Sequence, residues 1–210
     1  MCRACLRGLE PDRRGFCPRC GLFLQAAGPR DFCSSCVQSP PPFLRHRSAG
    51  VYSGRLKTLI LLFKYRGGEV LGRDLAEFAW DALGGDDELW RGVERVLAVP
   101  LHRRRRRERG FNQASVLARR LAGRAGLPFI EGRLARKKDI PPQAGLDSVR
   151  RRRNVAGAFA VRRPGEIVGR SLLLIDDVYT TGSTVGECCR ALLRAGARDV
   201  RVLTLARVQP

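Results

Sequence analysis

The sequence of 210 residues lacks any long hydrophobic run. Its longest candidate, Leu59-Ile60-Leu61-Leu62-Phe63, is far shorter than the roughly 20 residues that cross a bilayer. The opening residues, Met1-Cys2-Arg3-Ala4-Cys5, also lack the apolar segment of a signal peptide. We therefore expect no membrane insertion and a cytoplasmic location, where cysteines stay reduced.

Lysine and acidic residues are scarce. Only four of the 40 basic residues are lysines (Lys57, Lys64, Lys137 and Lys138), and 20 residues are acidic, so the net charge of +20 comes mostly from arginine. Such a charge predicts attraction to polyanions such as nucleic acid or clustered phosphates, without specificity. A genome biased toward arginine codons would produce the same excess, so composition leaves both explanations open.

Three Cys-x-x-Cys pairs occupy the first 36 residues: Cys2 and Cys5, Cys17 and Cys20, Cys33 and Cys36. Two such pairs complete a tetrahedral Zn²⁺ site, and so short a segment has too little apolar surface to fold without metal. We assign a structural zinc ribbon to the second and third pairs. The first pair is spare, belongs to a second site, or has lost an upstream partner pair.

A proline-rich run from Ser39 to Phe43 predicts a short stiff linker. We therefore expect two domains, a zinc ribbon in residues 1–45 and a larger domain in residues 46–210. His46 has no partner at metal-binding spacing and is expected to be a surface or core residue.

Short apolar stretches alternate with helical patterns along the larger domain. This order predicts an α/β domain with a doubly wound parallel sheet. The expected strands are Ser48 to Tyr52, Val96 to Pro100, Leu172 to Ile175 and Val200 to Leu205, and the expected helices are Leu56 to Phe63, Leu71 to Leu83, Gln113 to Ala125 and Val185 to Arg194.

The segment from Leu172 to Val185 combines a buried strand, a polar loop and a helix. The loop Thr180-Thr181-Gly182-Ser183-Thr184 precedes the helix, whose free N–H groups and dipole favour a phosphate, and Gly182 allows close backbone approach. Asp176 and Asp177 end the strand and can accept hydrogen bonds from ribose hydroxyls. The segment predicts a sugar-phosphate site; the alternative is an ordinary strand–turn–helix that binds nothing.

Two motifs resemble known families. The segment just described closely resembles the signature of type I phosphoribosyltransferases, in which the loop binds the 5-phosphate of phosphoribosyl pyrophosphate (PRPP) and the acids hold the ribose. The arginine run from Arg103 to Arg107 follows a predicted strand, and we expect it to form a loop at the end of that strand. Val99-Pro100, this arginine-rich spacer and Arg109-Gly110-Phe111-Asn112-Gln113 resemble the hallmark of the ComF family (competence protein F, ComFC, GntX). The zinc ribbon also matches, although relatives carry four or two Cys pairs. The family pattern is also matched by Lys64-Tyr65-Arg66-Gly67 and by a later run of Gln143, Leu146, Arg150, Arg153, Asn154 and Phe159.

The resemblance implies a type I phosphoribosyltransferase-like fold and a site for PRPP with Mg²⁺. The 5-phosphate would bind between Asp177 and Thr184, the ribose on Asp176 and Asp177, and the pyrophosphate near Arg105 and Arg109, the arginines that match the family. A flap from Arg136 to Asn154 would close over the substrate or contact nucleic acid through Gln143, Arg150, Arg153 and Asn154. Lys64 and Arg66 end a helix and either complement its dipole or contact the ligand.

Three functions are compatible with these residues. The first is a phosphoribosyltransferase in which Asp176, Asp177, Arg105 and Arg109 position the substrate and stabilise charge as pyrophosphate departs. The second is a single-stranded DNA-handling protein of natural transformation, with a regulatory or vestigial PRPP site. Few aromatic residues accompany the ribbon (Phe16, Phe23, Phe32 and Phe43), which favours electrostatic binding over base stacking. The third is a scaffold whose ribbon docks a competence helicase or channel protein.

Overall fold

The computed structural model describes residues 9, 15–24, 31–65, 68–137 and 157–209. The residues named above that lie outside this part include Cys2, Cys5, Arg66, Gly67, Lys138, Gln143, Leu146, Arg150, Arg153 and Asn154. The elements are α1 (Ser34–Gln38), β1 (Arg45–Val51), α2 (Gly54–Tyr65), α3 (Gly68–Leu83), α4 (Asp87–Trp90), β2 (Arg95–Ala98), α5 (Arg103–Arg109), α6 (Gln113–Arg124), β3 (Leu134–Arg136), β4 (Phe159–Val161), β5 (Ser171–Tyr179), α7 (Ser183–Arg194) and β6 (Asp199–Arg207).

A parallel sheet of four strands in the order β1-β6-β5-β2 forms the centre of the fold. Its strand β5 is covered on both faces, which explains the uninterrupted apolar run from Leu172 to Ile175. Leu173 and Ile175 face a core formed with α2, α3 and α6, whereas Leu172 and Leu174 face a second core formed with α7 and the small β3–β4 sheet. The predicted doubly wound α/β architecture is therefore confirmed.

The arginine run forms a helix rather than the predicted loop. His102 caps its start by accepting a hydrogen bond from the backbone N–H of Arg104, and Gly110 ends it in the left-handed conformation with φ of 79°. Arginine has a high helix propensity, and a glycine in this conformation is a common helix end. This helix, α5, fixes the directions of its arginines relative to the end of β2.

The last residue of the proline-rich run, Phe43, packs against the end of β5. Phe43 is 4% exposed and packs edge-on against Tyr179, with ring centroids 6.4 Å apart. His46 is fully buried, so the core alternative is the correct one for this residue.

No helix in the described part of the chain is both long and apolar enough to cross a membrane.

Candidate functional site

The carboxyl end of β5 leads into the threonine-rich loop and α7. Gly182 caps α7 with φ of 73°, a conformation that favours glycine. A Cβ atom at this position would also overlap the ring and hydroxyl of Tyr179, the last residue of β5. The hydroxyls of Thr181 and Ser183 lie 2.9 Å apart within hydrogen-bonding distance. Glycine is therefore required here by both conformation and space.

The two aspartates lie side by side at the same end of β5. The backbone N–H of Asp177 donates to Oδ1 of Asp176 at 2.9 Å. The ammonium of Lys64, in the last turn of α2, lies 2.8 Å from Oδ2 of Asp177, and these two side chains are only 18% and 15% exposed. Sequence left Lys64 open between a helix-dipole role and a ligand role; the structure places it in direct contact with the acid pair.

Burial controls the ionisation of this cluster. Burial, together with the neighbouring charge of Asp177, raises the pKa of Asp176 to about 7, against the opposing effects of the hydrogen bond from the Asp177 N–H and of the charges of Lys64 and Arg136. Burial lowers the pKa of Lys64, but attraction to Asp177 and Asp176 outweighs this, so its pKa lies above the ordinary value. Near neutral pH the site thus combines a protonated lysine with an acid pair that can still accept a proton.

The face of α5 that points into the site carries two arginines one helical turn apart. Arg105 and Arg109 are half-buried, whereas Arg103, Arg104, Arg106 and Arg107 are exposed. Residues at i and i+4 share a helix face, so the two arginines that match the family motif lie on the same side. Arg109 donates to Oε1 of the buried Gln113 at 3.1 Å and stands over the Tyr65 ring at 5.3 Å. Two contacts therefore hold its guanidinium in place.

A cavity of about 140 Å³ brings these groups together. Five of the predicted site residues line it: Arg105, Arg109, Asp176, Asp177 and, at the far end of the loop, Thr184. Thr180, Thr181, Gly182 and Ser183 are not among its lining residues. The remaining walls come from Lys64, Val99, Pro100, Leu101, Asn112, Gln113, Ala114 and Arg136.

Two of the remaining lining residues, Asn112 and Arg136, were not among the predicted site residues. Asn112 caps α6 by accepting from the N–H of Ala114 at 3.2 Å, and its amide donates to the carbonyl of Val99 at 3.0 Å. It therefore ties the end of β2 to the start of α6, and its place in the Arg-Gly-Phe-Asn-Gln motif was the available signal. Arg136 was predicted to begin the flap, but it lies at the end of β3, where it lines the cavity.

The second and third cysteine pairs meet in one cluster. The sulfurs of Cys17, Cys20, Cys33 and Cys36 all lie within 4.8 Å of one another and the four residues are buried. Four thiolates at this separation suit one tetrahedral ion such as Zn²⁺ and leave no open coordination position. The cluster could thus hold a structural metal, and catalytic chemistry there is disfavoured.

Comparisons with known proteins agree with this architecture. Residues 107–209 match the phosphoribosyl transferase domain. The fold and the site thus define a phosphoribosyltransferase-like domain preceded by a cysteine cluster that fits a zinc ribbon. The chain belongs to the competence protein F family, whose curated members include proteins named for DNA utilization.

Three relatives span nearly the whole chain. The DNA utilization protein YhgH of Salmonella typhimurium is 34% identical over 99% of this chain and 90% of its own length. Competence protein F of Haemophilus influenzae is 30% identical with the same coverage, and competence protein ComFC of Bacillus subtilis is 27% identical over 99% of this chain and 84% of its own. An adenine phosphoribosyltransferase structure gives a TM-score of 0.41 at 13% identity over 68% of this chain and 80% of the other, too weak a likeness for any functional conclusion.

Proposed function

We propose that this chain binds PRPP with Mg²⁺ in the cavity between β5, α2 and α5, and that it serves in DNA uptake during natural transformation. The observation that carries the proposal is one cavity with acids and cations on different elements. The acids at the end of β5 suit a ribose diol, and the cations suit the phosphates. The names of its relatives, competence protein F and DNA utilization protein, support the role in DNA uptake.

Each group has a distinct task in this proposal. Asp176 and Asp177 accept hydrogen bonds from the ribose hydroxyls, and the loop from Thr180 to Thr184 receives the 5-phosphate at the start of α7. Arg105 and Arg109 face the pyrophosphate from α5. Mg²⁺ would accompany the pyrophosphate and neutralise part of its charge. If transfer occurs, this positioned charge stabilises the oxocarbenium-like sugar as pyrophosphate leaves.

Calorimetry with PRPP and Mg²⁺ tests the binding proposal. Asp176→Asn/Asp177→Asn should weaken binding by about 100-fold or more, because hydrogen bonds to charged groups contribute about 1.5–3 kcal/mol each and the double variant weakens two of them. Asp87→Asn is a matched control, since that side chain is 81% exposed and pairs with Arg91 away from the cavity. Equal affinity of the double variant and the control would remove the ribose role of the two acids.

The outer face of α5 supports a second candidate function, electrostatic binding of single-stranded DNA. Arg103, Arg106 and Arg107 are exposed and, with Gly110, line an open cavity of about 460 Å³ on the surface. These arginines lie outside the PRPP-binding face, so the same helix can contact PRPP on one face and DNA phosphates on the other. We propose that the same role extends to the zinc ribbon and that this ribbon forms the domain within residues 1–45.

Salt dependence tests this second function. Affinity for an oligo(dT) measured by fluorescence anisotropy should fall steeply with salt, and Arg106→Gln/Arg107→Gln should reduce the slope by about 0.7 per lost phosphate contact. Arg119→Gln on α6, where the arginine pairs with Glu131 at 2.8 Å, should leave the slope unchanged. A salt-independent affinity would contradict backbone binding through these arginines.

A further inference from the structure

The ring of Tyr179 supports the proposed phosphate loop from beneath. Tyr179 is 7% exposed and contacts Gly182 so closely that no Cβ fits between them. The carbonyl of Gly182 accepts the first hydrogen bond of α7, from the N–H of Gly186 at 2.7 Å. A shift of the tyrosine ring would therefore alter the loop and the helix start at which phosphate would bind.

His46, from β1, stacks on this ring. The two ring centroids are 4.2 Å apart and their planes differ by 20°. The histidine is fully buried, and its Nε2 lies 2.9 Å from the hydroxyl of Thr204 and 3.1 Å from that of Ser48. Its orientation is thus fixed by hydrogen bonds at one edge, and a fixed imidazole limits where Tyr179 can lie.

The other edge of His46 contacts the cysteine cluster. Nδ1 lies 2.7 Å from the carbonyl oxygen of Cys20. Because a carbonyl oxygen only accepts, Nδ1 carries the hydrogen. Arg207 also donates to this carbonyl, and its guanidinium stands 4.8 Å from the Tyr179 ring. The backbone of one metal-binding residue is thereby bonded to two side chains that both contact Tyr179.

The Cys17–Cys20 turn packs against β1 through several direct contacts. The backbone N–H of His46 donates to the carbonyl of Arg19 at 2.7 Å, and Arg47 donates to that of Pro18 at 2.9 Å. At Gly21, with φ of 67°, a Cβ would collide with the carbonyl oxygen of His46. The turn that would hold the metal is thus packed directly on the strand that holds the histidine.

We propose that His46 and Tyr179 are positioning residues that couple metal binding at the cysteine cluster to the conformation of the Thr180–Thr184 loop. With metal bound, the Cys20 carbonyl is fixed, His46 holds Tyr179, and Tyr179 holds Gly182. Without metal, the Cys17–Cys20 turn loosens and the loop loses its support. The functional meaning of this coupling rests on the proposed phosphate binding, but the coupling itself is a property of the unliganded chain.

Hydrogen exchange of the unliganded, full-length protein tests the coupling. The reporter is the amide of Gly186, and the internal control is the amide of Val116, which makes the corresponding bond to Asn112 at the start of α6 at 3.1 Å. Removing zinc with a chelator should speed exchange at Gly186 by about tenfold, the effect of losing one net hydrogen bond, and leave Val116 unchanged. Unchanged exchange at Gly186, with protection lost in the Cys17–Cys20 turn, would overturn the proposal.

A matched pair of substitutions identifies the route. His46→Phe keeps a ring against Tyr179 but loses the N–H that bonds to Cys20. Trp90→Phe loses an equivalent N–H, which donates to the carbonyl of Leu83 at 2.7 Å, and keeps a ring against Trp80. In zinc-loaded protein, His46→Phe should speed exchange at Gly186 about five- to tenfold, with little further effect of chelation, whereas Trp90→Phe should behave as the wild type. Identical behaviour of the two variants would overturn the route through His46.

Two further outcomes separate the possible failures. If chelation exposes Val116 as well, the chain has unfolded globally, and the comparison of the two zinc-loaded variants decides. Calorimetry with PRPP is run on the same samples. If PRPP binds but zinc removal does not change exchange at Gly186, the coupling is wrong and the proposed function stands. If zinc removal changes exchange at Gly186 but PRPP does not bind, the coupling stands and the proposed function is wrong.

Discussion

Lys64→Met removes the ammonium that faces Asp177 but keeps a side chain of similar length. The acids then lie next to each other without the cation that contacts Asp177 at 2.8 Å. We expect the variant to lose about 2–3 kcal/mol of unfolding free energy at pH 8. This value lies between the 0–1 kcal/mol typical of an exposed pair and the 3–5 kcal/mol for breaking a buried one, because the two side chains are 18% and 15% exposed.

The loss should depend on pH. Lys64 has a raised pKa in the folded protein, so its own contribution persists throughout the range below its ordinary value of about 10.4. Asp176 has a pKa raised to about 7, so in the folded protein it is mostly charged at pH 8 and protonated at pH 5. The unpaired negative charge left by Lys64→Met is therefore larger at pH 8, and we expect a smaller loss of stability at pH 5.

Urea unfolding at both pH values measures this difference. Arg91→Met serves as the control, because it breaks an ion pair with Asp87 of similar length, 2.7 Å, whose side chains are 79% and 81% exposed. It should cost less than about 1 kcal/mol. If Lys64→Met costs no more than Arg91→Met, or costs the same at both pH values, the assignment of a coupled acid–lysine cluster is wrong.

Other substitutions test single features of the site. Asp176→Asn should stabilise the protein against urea unfolding at pH 8 but not at pH 4. The reason is that a carboxyl group whose folded pKa is raised to about 7 favours folding below its unfolded pKa of about 3.9 and loses that contribution as the pH rises through 7. Equal unfolding midpoints of the variant and the wild type at pH 8 would contradict this. Gly182→Ala should lower the unfolding free energy by about 1–3 kcal/mol through backbone strain and overlap. Gly123→Ala, in a helix with open space around it, should leave the unfolding free energy unchanged or raise it by up to about 1 kcal/mol. A similar loss in both variants would contradict the conformational requirement for glycine at position 182. Metal analysis should find one zinc equivalent fewer in Cys33→Ser than in the control Cys188→Ala, because Cys188 is buried in α7 outside the cluster. Equal zinc contents of the two variants would show that the cluster does not hold the metal.

The parallel sheet was predictable because its strands have a strong local signature. The run from Leu172 to Ile175 is apolar without alternation, as expected for a strand covered on both faces. The arginine run had no such signature. Its charge suggested an open loop, and the capping contacts of His102 and Gly110 that make it a helix depend on backbone geometry that composition does not reveal.

The site was predictable where its residues are neighbours in sequence. Asp176 and Asp177 adjoin the threonine-rich loop, whereas Arg105 and Arg109 were identified only because they match the motif of the ComF family. Lys64 could not be assigned, because its contact with Asp177 joins the last turn of α2 to the end of β5. The stack of His46 on Tyr179 likewise arises only once the sheet order is known, since β1 and β5 are separated by β6.

The order of the sheet also bears on how the chain is made. β1 pairs along its length with β6, and His46 contacts Thr204, 158 positions later. During translation β1 therefore has no partner until the residues of β6 leave the ribosome, and parallel pairing over such a distance is intrinsically slow. The Cys17–Cys20 turn could capture a metal early, but the sheet on which it rests forms only after β6 has been made. Nascent chains are exposed to aggregation in that interval.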